Sequence, residues 1–302
     1  MNELFKNCHL CPRDCGVNRY EKMGFCKAGA EVNIAKVSLH PWEEPCLIGE
    51  KGAGTIFFSH CNLRCVFCQN HEISAGGKGK AVSISRLAEI FIEQQARGAA
   101  VIDLVTPAHY APQIAEALKI AKGQGLAIPV AYNTNAYEKI ETIELFRGLV
   151  DIFLPDLKYR QEKSAKDYSL APNYFTVATS AIKKMYDLVG KFKINADGLM
   201  EKGVIVRHLV LPGMRHESME IVRYLHEEYG DDIYLSLMNQ YTPMYKAKEM
   251  PPLNRRLTTF EYESVVDFAS SLGMKNVYVQ ERRAASEEYV PDFDFSGVDK
   301  ED

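Results

Sequence analysis

The sequence lacks the features that would assign it to several large classes of protein. Its 302 residues carry a formal net charge of only −4, so it has no overall basic field and we expect no nucleic-acid partner. No apolar run approaches the length of a membrane span, and the first ten residues lack the basic and apolar regions of a signal peptide. Because 46% of the residues are hydrophobic, we predict a globular, cytoplasmic protein with a sizeable core and no membrane contact.

Cysteine is absent from the whole of the chain after residue 68. The eight cysteines that precede this point are Cys8, Cys11, Cys15, Cys26, Cys46, Cys61, Cys65 and Cys68. A disulfide framework normally belongs to a short secreted chain, and this chain is neither short nor visibly secreted. The cysteines therefore predict metal or cluster ligation at one end of the molecule.

After Gly54, apolar and β-branched runs alternate with amphipathic segments. The runs predict strands at residues 55–59, 101–105, 128–133, 151–154, 204–211 and 233–237, with a short last strand at 277–280. The segments between them predict helices around residues 87–94, 114–121, 140–149, 174–189, 218–228 and 260–272. Ser85 is the candidate cap of the first of these helices, and Gly98 is its candidate stop.

This alternation implies parallel strands joined by right-handed crossovers, in either a doubly wound sheet or a barrel. Both architectures collect ligands at the carboxyl ends of their strands. Residues 51–282 make up this strand-and-helix domain. Residues 1–50 predict a small cysteine-rich, metal-binding lobe, and residues 283–302 predict a loosely ordered acidic tail.

Three of the cysteines lie on the loop that follows the first predicted strand. Cys61, Cys65 and Cys68 have the spacing C-x3-C-x2-C, with no fourth cysteine close by. A structural zinc site is closed by four ligands, whereas a 4Fe–4S cluster with three protein thiolates leaves one iron open. Two alternatives remain: a zinc site that borrows Cys46 as fourth ligand, or free cysteines buried as small apolar residues.

In this context the motif resembles that of the radical S-adenosylmethionine (SAM) superfamily. The resemblance implies an α/β fold, an incomplete (β/α)6 barrel of the TIM type, over residues 50–282. It also implies a 4Fe–4S cluster on Cys61, Cys65 and Cys68 whose open iron is chelated by SAM. Reductive cleavage of SAM then gives a 5′-deoxyadenosyl radical, which abstracts hydrogen from a substrate.

The resemblance assigns roles to several residues near the motif. Phe67 occupies the place that lies near the adenine of SAM, although an ordinary packed phenylalanine is equally expected. Asn70 is close enough to hydrogen-bond around the cluster. The segment after the second strand departs from the family's glycine-rich acidic turn, so the backbone near Thr106 is the candidate for the SAM amino group. His109 is a candidate catalytic group, but a solvated loop histidine is the more expected interpretation.

Two later segments resemble glycyl-radical-enzyme activating enzymes, in particular the pyruvate formate-lyase activating enzyme family. They are YNTNAYE at residues 132–138 and DIFLPDLKY at residues 151–159. By position, a monovalent cation would be bound by Asn133, Thr134, the carbonyl of Leu154 and Asp156. Lys158 would act as a catalytic-site residue that approaches SAM.

The pair Asp156 and Lys158 also carries an argument from the residues alone. Residues two apart on an extended strand point the same way, so the two side chains can form a charged pair at the mouth of the barrel. The alternative is a surface ion pair of little energetic value.

The fifth and sixth predicted strands supply the remaining candidates. Residues 206–214 resemble the family's fifth strand, where Arg207 or His208 would contact SAM. Residues 235–243 resemble the sixth, where Asn239, Gln240 or Tyr241 would touch cofactor or substrate. Because side chains alternate along a strand, only some of these face inward.

The first four cysteines form a separate set, with the spacing Cys8-x2-Cys11-x3-Cys15-x10-Cys26. Four thiolates suffice to close a tetrahedral site, so either zinc or a second 4Fe–4S cluster is reasonable, with zinc slightly favoured. His9 and His40 are alternative ligands.

Three functional hypotheses follow. The first is an activase that abstracts hydrogen from a glycine of a partner glycyl radical enzyme, through the lateral opening of the barrel, using a one-electron reductant such as flavodoxin or ferredoxin. The second is a radical SAM enzyme that modifies another peptide or a small molecule. The third, from a different class, is a non-catalytic zinc or Fe–S binding module.

Overall fold

A computed structural model of the chain describes residues 2–280 and 291–300. The strands in these ranges are β1 (Val32–His40), β2 (Ala53–Phe58), β3 (Lys80–Val82), β4 (Ile102–Val105), β5 (Val130–Thr134), β6 (Ile152–Pro155), β7 (Lys193–Ile194), β8 (Met200–Leu209), β9 (Tyr234–Met238) and β10 (Val277–Val279). The α-helices are α1 (Pro45–Ile48), α2 (His71–Ser74), α3 (Ile84–Ala96), α4 (Ala111–Gly123), α5 (Ile140–Glu144), α6 (Glu162–Ser169), α7 (Tyr174–Val189), α8 (Arg215–Tyr229) and α9 (Thr259–Ser271).

The strands form a sheet in the order β10-β9-β8-β6-β5-β4-β2-β1-β3, with β7 paired beside β8. Neighbours from β2 to β10 along this path run parallel, whereas β1 is antiparallel to both β2 and β3. Within the described ranges the edge strands β10 and β3 do not pair with each other, so the barrel is open. The predicted incomplete six-stranded barrel is therefore confirmed, and the six strands are β2, β4, β5, β6, β8 and β9.

The helices largely follow the predicted apolar spacing, with differences at their ends. Helix α7 has the predicted bounds, and Gly190 follows it at φ 71°, a conformation that favours glycine. Helix α3 is capped by Ser83, which accepts a hydrogen bond from the Arg86 backbone, and not by Ser85. Helix α6 was not predicted, because it buries only Ala165 and Ser169 and so has almost no apolar stripe.

The interior of the barrel is apolar at its base and polar toward the carboxyl ends of the strands. The apolar base consists of Cys46, Leu47, Ala53, Val101, Ala131, Ile152, Leu154, Met200 and Ile205. On β8 the inward positions after Ile205 are Arg207 and Leu209, since side chains alternate between the faces of a strand. Polar groups therefore collect where the three-cysteine loop (residues 59–70) begins.

Residues 291–300 pack on β1. Lys36 in this strand lies 2.9 Å from Asp294, and Phe293 is buried against Ala35 and Phe57. The prediction of a loosely ordered tail is thus wrong for residues 291–300, while residues 283–290 and 301–302 lie outside the described residues. The predicted boundary at residue 50 stays a prediction. The structure adds that β1, which precedes this boundary, hydrogen-bonds to β2, which follows it.

Among the described residues, no helix combines the length and the apolarity needed to cross a membrane.

Candidate functional site

A cavity of about 490 Å³ lies at the carboxyl ends of the parallel strands. Its walls bring together twelve of the residues that the sequence proposed as a site. They are Cys61, Cys65, Phe67, Cys68, Asn70, Thr106, Asn133, Thr134, Asp156, Lys158, Arg207 and Gln240. They come from the ends of six different strands, so the fold itself assembles the site.

Three thiols form one wall of this cavity. Burial raises the pKa of Cys61 to about 12 and that of Cys68 to about 11, and the neighbouring Cys65 adds to both shifts. The three thiols are partly buried, and positive charge such as that of a metal cluster favours their thiolate forms. No three His, Cys, Asp or Glu side chains of the described residues are arranged to hold a metal ion, so the agreement at this site is one of donor chemistry and not of geometry. The donor set of three cysteines therefore fits a cluster with one open metal position.

Polar groups hydrogen-bond to all three sulfur atoms, and those at Cys61 and Cys65 are donors. The amide of Asn135 lies 3.4 Å from Cys61 Sγ, and the hydroxyl of Ser169 donates to Cys65 Sγ at 3.0 Å. The Ser74 hydroxyl lies 3.2 Å from Cys68 Sγ. Donors of this kind orient sulfur ligands and tune the potential of a cluster. Sequence analysis missed them, and only Asn135 had a signal, its place in the polar run that follows β5.

A network of ion pairs also lines this cavity. Lys158 Nζ lies 2.7 Å from Asp156 Oδ2, and the guanidinium of Arg207 lies 3.1 Å from Asp156 Oδ1. Arg207 also donates to the Asn133 amide oxygen. Burial raises the pKa of Asp156, but the two cations outweigh it and hold this pKa below its ordinary value. The Asp156 and Lys158 side chains are only 18% and 17% exposed, so this is a cavity pair and not a surface one.

Thr106, which follows β4, adopts a conformation unusual for a β-branched residue. Its φ is 60°, and its backbone N–H donates to the Asn133 carbonyl at 2.8 Å. Strained backbone of this kind is common where a turn lines a functional cavity. Because the N–H is engaged, Thr106 offers an ammonium group its carbonyl and hydroxyl oxygens.

Buried acids next to Arg207 were missed by sequence analysis. Glu43 Oε2 lies 3.7 Å from the Arg207 guanidinium, and burial raises the pKa of Glu44 to about 7. Asp103, on β4, is fully buried, which raises its pKa well above the ordinary value. An acid pair in a loop and a lone acid in an apolar strand have no periodic pattern that distinguishes them.

Some proposed site residues lie elsewhere. His208 is buried outside the cavity: Nδ1 donates to the Leu157 carbonyl at 2.7 Å, and Nε2 lies 2.8 Å from the Ser218 hydroxyl. Its outward direction follows from the inward direction of Arg207. Asn239 is also absent from the cavity wall, whereas Tyr241 is on it.

Two further expectations about single residues change. His109 is only 2% exposed and donates to the Ser59 carbonyl at 2.7 Å, so the expectation that it is a solvated loop histidine was wrong. Burial lowers its pKa to about 3. Cys46 packs in the apolar base of the barrel, away from the three-cysteine loop, which removes the support for it as a fourth ligand there.

The four N-terminal cysteines line a second, smaller cavity. Its wall consists of Cys8, Leu10, Cys11, Asp14, Cys15, Arg19, Gly24, Cys26 and His109. Burial raises the pKa of Cys11 to about 12, with added contributions from the other three thiols. Across the described residues, no three His, Cys, Asp or Glu side chains are arranged to hold a metal ion. The donor chemistry at this cavity thus suits a metal, while the geometry does not select one.

The alternative ligands in the lobe have other partners. His9 lies outside the wall of the small cavity and pairs with Asp14 at 3.0 Å. His40 lines the large cavity instead.

The segments that carry the two sets of cysteines contact each other. Arg13, between Cys11 and Cys15, donates to the Asn62 carbonyl at 2.9 Å and stacks on Phe25 at 3.7 Å. Arg64 in turn donates to the Phe25 carbonyl. The lobe therefore supports the three-cysteine loop directly.

Comparisons with known proteins give the following similarities. Residues 55–228, more than half of the chain, match the family model described as the radical SAM superfamily. An uncharacterized protein of Methanocaldococcus jannaschii is 32% identical over 282 residues, which cover 91% of this chain and 78% of the relative.

Two solved structures are similar at low identity. SuiB of Streptococcus suis, bound to its precursor peptide SuiA, is 18% identical over 73% of this chain and 46% of its own, with a TM-score of 0.48. The chain thus spans less than half the length of SuiB. A domain of a pyruvate-formate lyase-activating enzyme from Bacteroides vulgatus is 14% identical over 57% of this chain and 92% of that domain, with a TM-score of 0.42.

Proposed function

This chain belongs to the radical SAM superfamily, and on that basis we propose that Cys61, Cys65 and Cys68 hold a 4Fe–4S cluster and that the large cavity binds SAM. The observation that carries the proposal is that three thiols and the pair Asp156 and Lys158 line one cavity. When bound, the cluster supplies the electron that cleaves SAM to methionine and a 5′-deoxyadenosyl radical.

The residues of the chain bind and orient SAM around that chemistry. Lys158 presents a cation to the SAM carboxylate, and the Thr106 oxygens accept from the SAM amino group. Phe67 is 7% exposed and packs edge-on against Tyr241 at 6.0 Å, so it offers a fixed ring face for the adenine. Asn70 and Gln240 supply polar contacts at the rim. These walls also exclude water from a reactive radical.

For the substrate, we propose a glycine of a partner polypeptide, as in a glycyl radical enzyme. Support comes from the open side of the barrel, where the cavity wall includes His40 at the end of β1 and Val279 in β10. A polypeptide loop entering there would lose a hydrogen atom from the glycine Cα, giving a glycyl radical and 5′-deoxyadenosine. The electron comes from a one-electron reductant such as flavodoxin or ferredoxin. Another peptide or a small molecule is the alternative substrate, whereas the non-catalytic module is contradicted by the family, whose members are enzymes.

For the lobe, we propose a structural zinc held by Cys8, Cys11, Cys15 and Cys26. Four thiolates close a tetrahedral zinc site without an open position. The contacts of Arg13 with Asn62 and of Arg64 with Phe25 support a scaffolding role for the three-cysteine loop. A second 4Fe–4S cluster, which would relay electrons, is the alternative.

The decisive experiment is anaerobic reconstitution with iron and sulfide, followed by metal analysis and by addition of dithionite and SAM. Formation of 5′-deoxyadenosine with about four irons and one zinc supports the proposal, and about eight irons supports a second cluster. Well-folded protein with neither cluster nor cleavage contradicts the proposal. A glycyl radical EPR signal on a co-incubated glycyl radical enzyme would support the activase role, and its absence while SAM is cleaved would favour the alternative substrates.

A further inference from the structure

Arg207 fills the polar corner between β5, β6 and β8. We infer that its guanidinium is the built-in cation of this site and takes the place of the inorganic monovalent cation expected at Asn133, Thr134, Leu154 and Asp156. The contacts of Arg207 do not depend on SAM, but their role in SAM binding rests on the proposed function.

The side-chain oxygens of the expected ligands are already engaged. The Asn133 amide oxygen accepts from Arg207, as does Asp156 Oδ1 at 3.1 Å. Asp156 Oδ2 accepts from Lys158 at 2.7 Å. The Thr134 hydroxyl donates to Glu138 and accepts from the Ala136 N–H at 3.2 Å. An inorganic cation would have to break several of these bonds to gain its coordination shell.

The local charge is already balanced. Arg207 and Lys158 are positive, while Asp156 and Glu43, which lies 3.7 Å from Arg207, are negative. A further cation would face two fixed positive charges within a partly desolvated cavity, where repulsion is poorly screened. Two further acids lie near Arg207, but burial raises the pKa of Glu44 to about 7 and that of Asp103 well above its ordinary value, which favours their neutral forms. Burial lowers the pKa of Arg207, but the neighbouring acids, Asp156 first, outweigh it and raise this pKa above its ordinary value. Arg207 therefore stays charged at every working pH.

The residue types agree with this role. The guanidinium is a planar fork whose N–H groups point in fixed directions, so it can join Asn133 on β5 to Asp156 after β6 in one register. The amide oxygen of Asn133 accepts the hydrogen bond from Arg207. An amide carries no negative charge, and a metal cation at this position would favour a carboxylate. The backbone of Arg207 is held beside the same segment, because the Leu157 N–H donates to the Arg207 carbonyl at 2.9 Å. Arg207 is thus a positioning residue that holds Asp156, and through it Lys158.

The test compares the reconstituted protein in buffers whose only monovalent cation is K⁺, Na⁺, Cs⁺ or choline. SAM affinity and 5′-deoxyadenosine formation should agree within about twofold across the series. Arg207→Gln should bind SAM about tenfold more weakly in choline and recover in K⁺ or guanidinium, whereas Arg207→Lys should stay independent of the cation. Arg223→Gln, a change on helix α8 that lies outside the cavity wall, is the matched control.

A tenfold or greater stimulation of the unaltered protein by K⁺ or Na⁺ over choline would overturn the inference. Crystals soaked in Rb⁺ decide the question without reference to SAM cleavage. We expect no anomalous peak between Asn133 and Asp156, and a peak coordinated by Asp156 would overturn the inference even in a protein that never cleaves SAM. Failure to cleave SAM with no such peak would count against the proposed function alone.

Discussion

Lys158 Nζ and Asp156 Oδ2 lie 2.7 Å apart on the cavity wall, two residues from each other in the chain. The second oxygen of Asp156 is held by Arg207. Among the described contacts, the Lys158 ammonium has one protein acceptor, Asp156, whereas the Arg207 guanidinium has several. Lys158 is therefore the cation of this network that can also bind an incoming carboxylate.

Lys158→Gln should weaken SAM binding by about tenfold or more, because a charge-assisted contact to the carboxylate is lost. Since Asp156 keeps Arg207, the free energy of unfolding should fall by only about 1.5–3 kcal/mol. Calorimetric titration with SAM and urea unfolding measure the two effects. Lys166→Gln, which removes an exposed 2.9 Å pair with Glu162, is the control and should change neither. Unchanged SAM affinity of the Lys158 variant would contradict the assignment.

Cys65→Ala should abolish both the 4Fe–4S signal of the large cavity and 5′-deoxyadenosine formation, because two thiolates do not hold the cluster with an open iron. Cys46→Ala removes an equally small thiol from the apolar base and should keep both. Iron analysis, EPR and product chromatography check the pair. If Cys65→Ala still cleaves SAM reductively, the three-cysteine assignment is wrong.

Cys11→Ala should abolish binding of the zinc that we propose for the lobe and leave SAM cleavage within about twofold of the unaltered protein, provided that the variant stays folded. Metal analysis measures the first effect, and circular dichroism checks the fold. Loss of cleavage with the catalytic cluster intact would instead favour electron transfer through the lobe.

Ser169→Ala should make the reduction potential of the cluster more negative, because it removes the hydroxyl that donates to Cys65 Sγ at 3.0 Å. The variant also removes the 2.7 Å hydrogen bond between the hydroxyls of Ser169 and the buried Tyr159, so the free energy of unfolding should fall by about 1–3 kcal/mol, and circular dichroism checks that the variant is folded. Redox titration followed by EPR gives the potential. Ser164→Ala is the control: Ser164 lies in the same helix as Ser169, but its hydroxyl donates to Glu217. Equal reduction potentials in the two variants would show that the Ser169 hydroxyl does not affect the cluster.

The pH dependence of stability should carry a contribution from His208. Burial lowers its folded pKa to about 4, so the neutral ring is favoured in the folded state, while the unfolded ring titrates near its ordinary value of about 6.5. The stabilisation from His208 is therefore complete above pH ~6.5 and is lost as the pH falls toward ~4, by up to about 1.4 kcal/mol per pH unit. Urea unfolding at pH 7 and pH 5 measures the free energy of unfolding of the unaltered protein and of His208→Gln. The difference between the two proteins should be smaller at pH 5 than at pH 7. Parallel profiles would refute this prediction.

Much of the fold follows from the sequence, because apolar spacing reports which face of each element is buried. Helix α7 illustrates this, since its apolar stripe gave both of its ends. Helix α6 shows the limit, because a segment that buries two small residues leaves no periodic pattern. Helix α5 was predicted over residues 140–149, but only its first part, Ile140–Glu144, is helical. Strand β1 was missed for another reason: it pairs antiparallel at the edge of a parallel sheet, outside the strand-and-helix alternation.

The site divides in the same way. Residues at strand ends could be predicted, because parallel strands bring their carboxyl ends to one edge. The direction of a side chain could not, and Arg207 and His208 were equal candidates until the register of β8 was known. The donors to sulfur come from distant parts of the chain, and Ser169 is 104 residues from Cys65. Their role depends on tertiary packing, which local patterns do not contain.

Strand β1 joins residues 291–300 to strands β2 and β3. A fragment that begins at residue 51 would leave β2 with a bare row of backbone N–H and C=O groups, and residues 291–300 would lose the surface on which they pack. Such a fragment should aggregate where the full chain does not. The cysteine lobe is thus not an appendage that recombination could exchange freely: any exchange must also carry β1, the strand that joins the parallel strands to the edge strand β3.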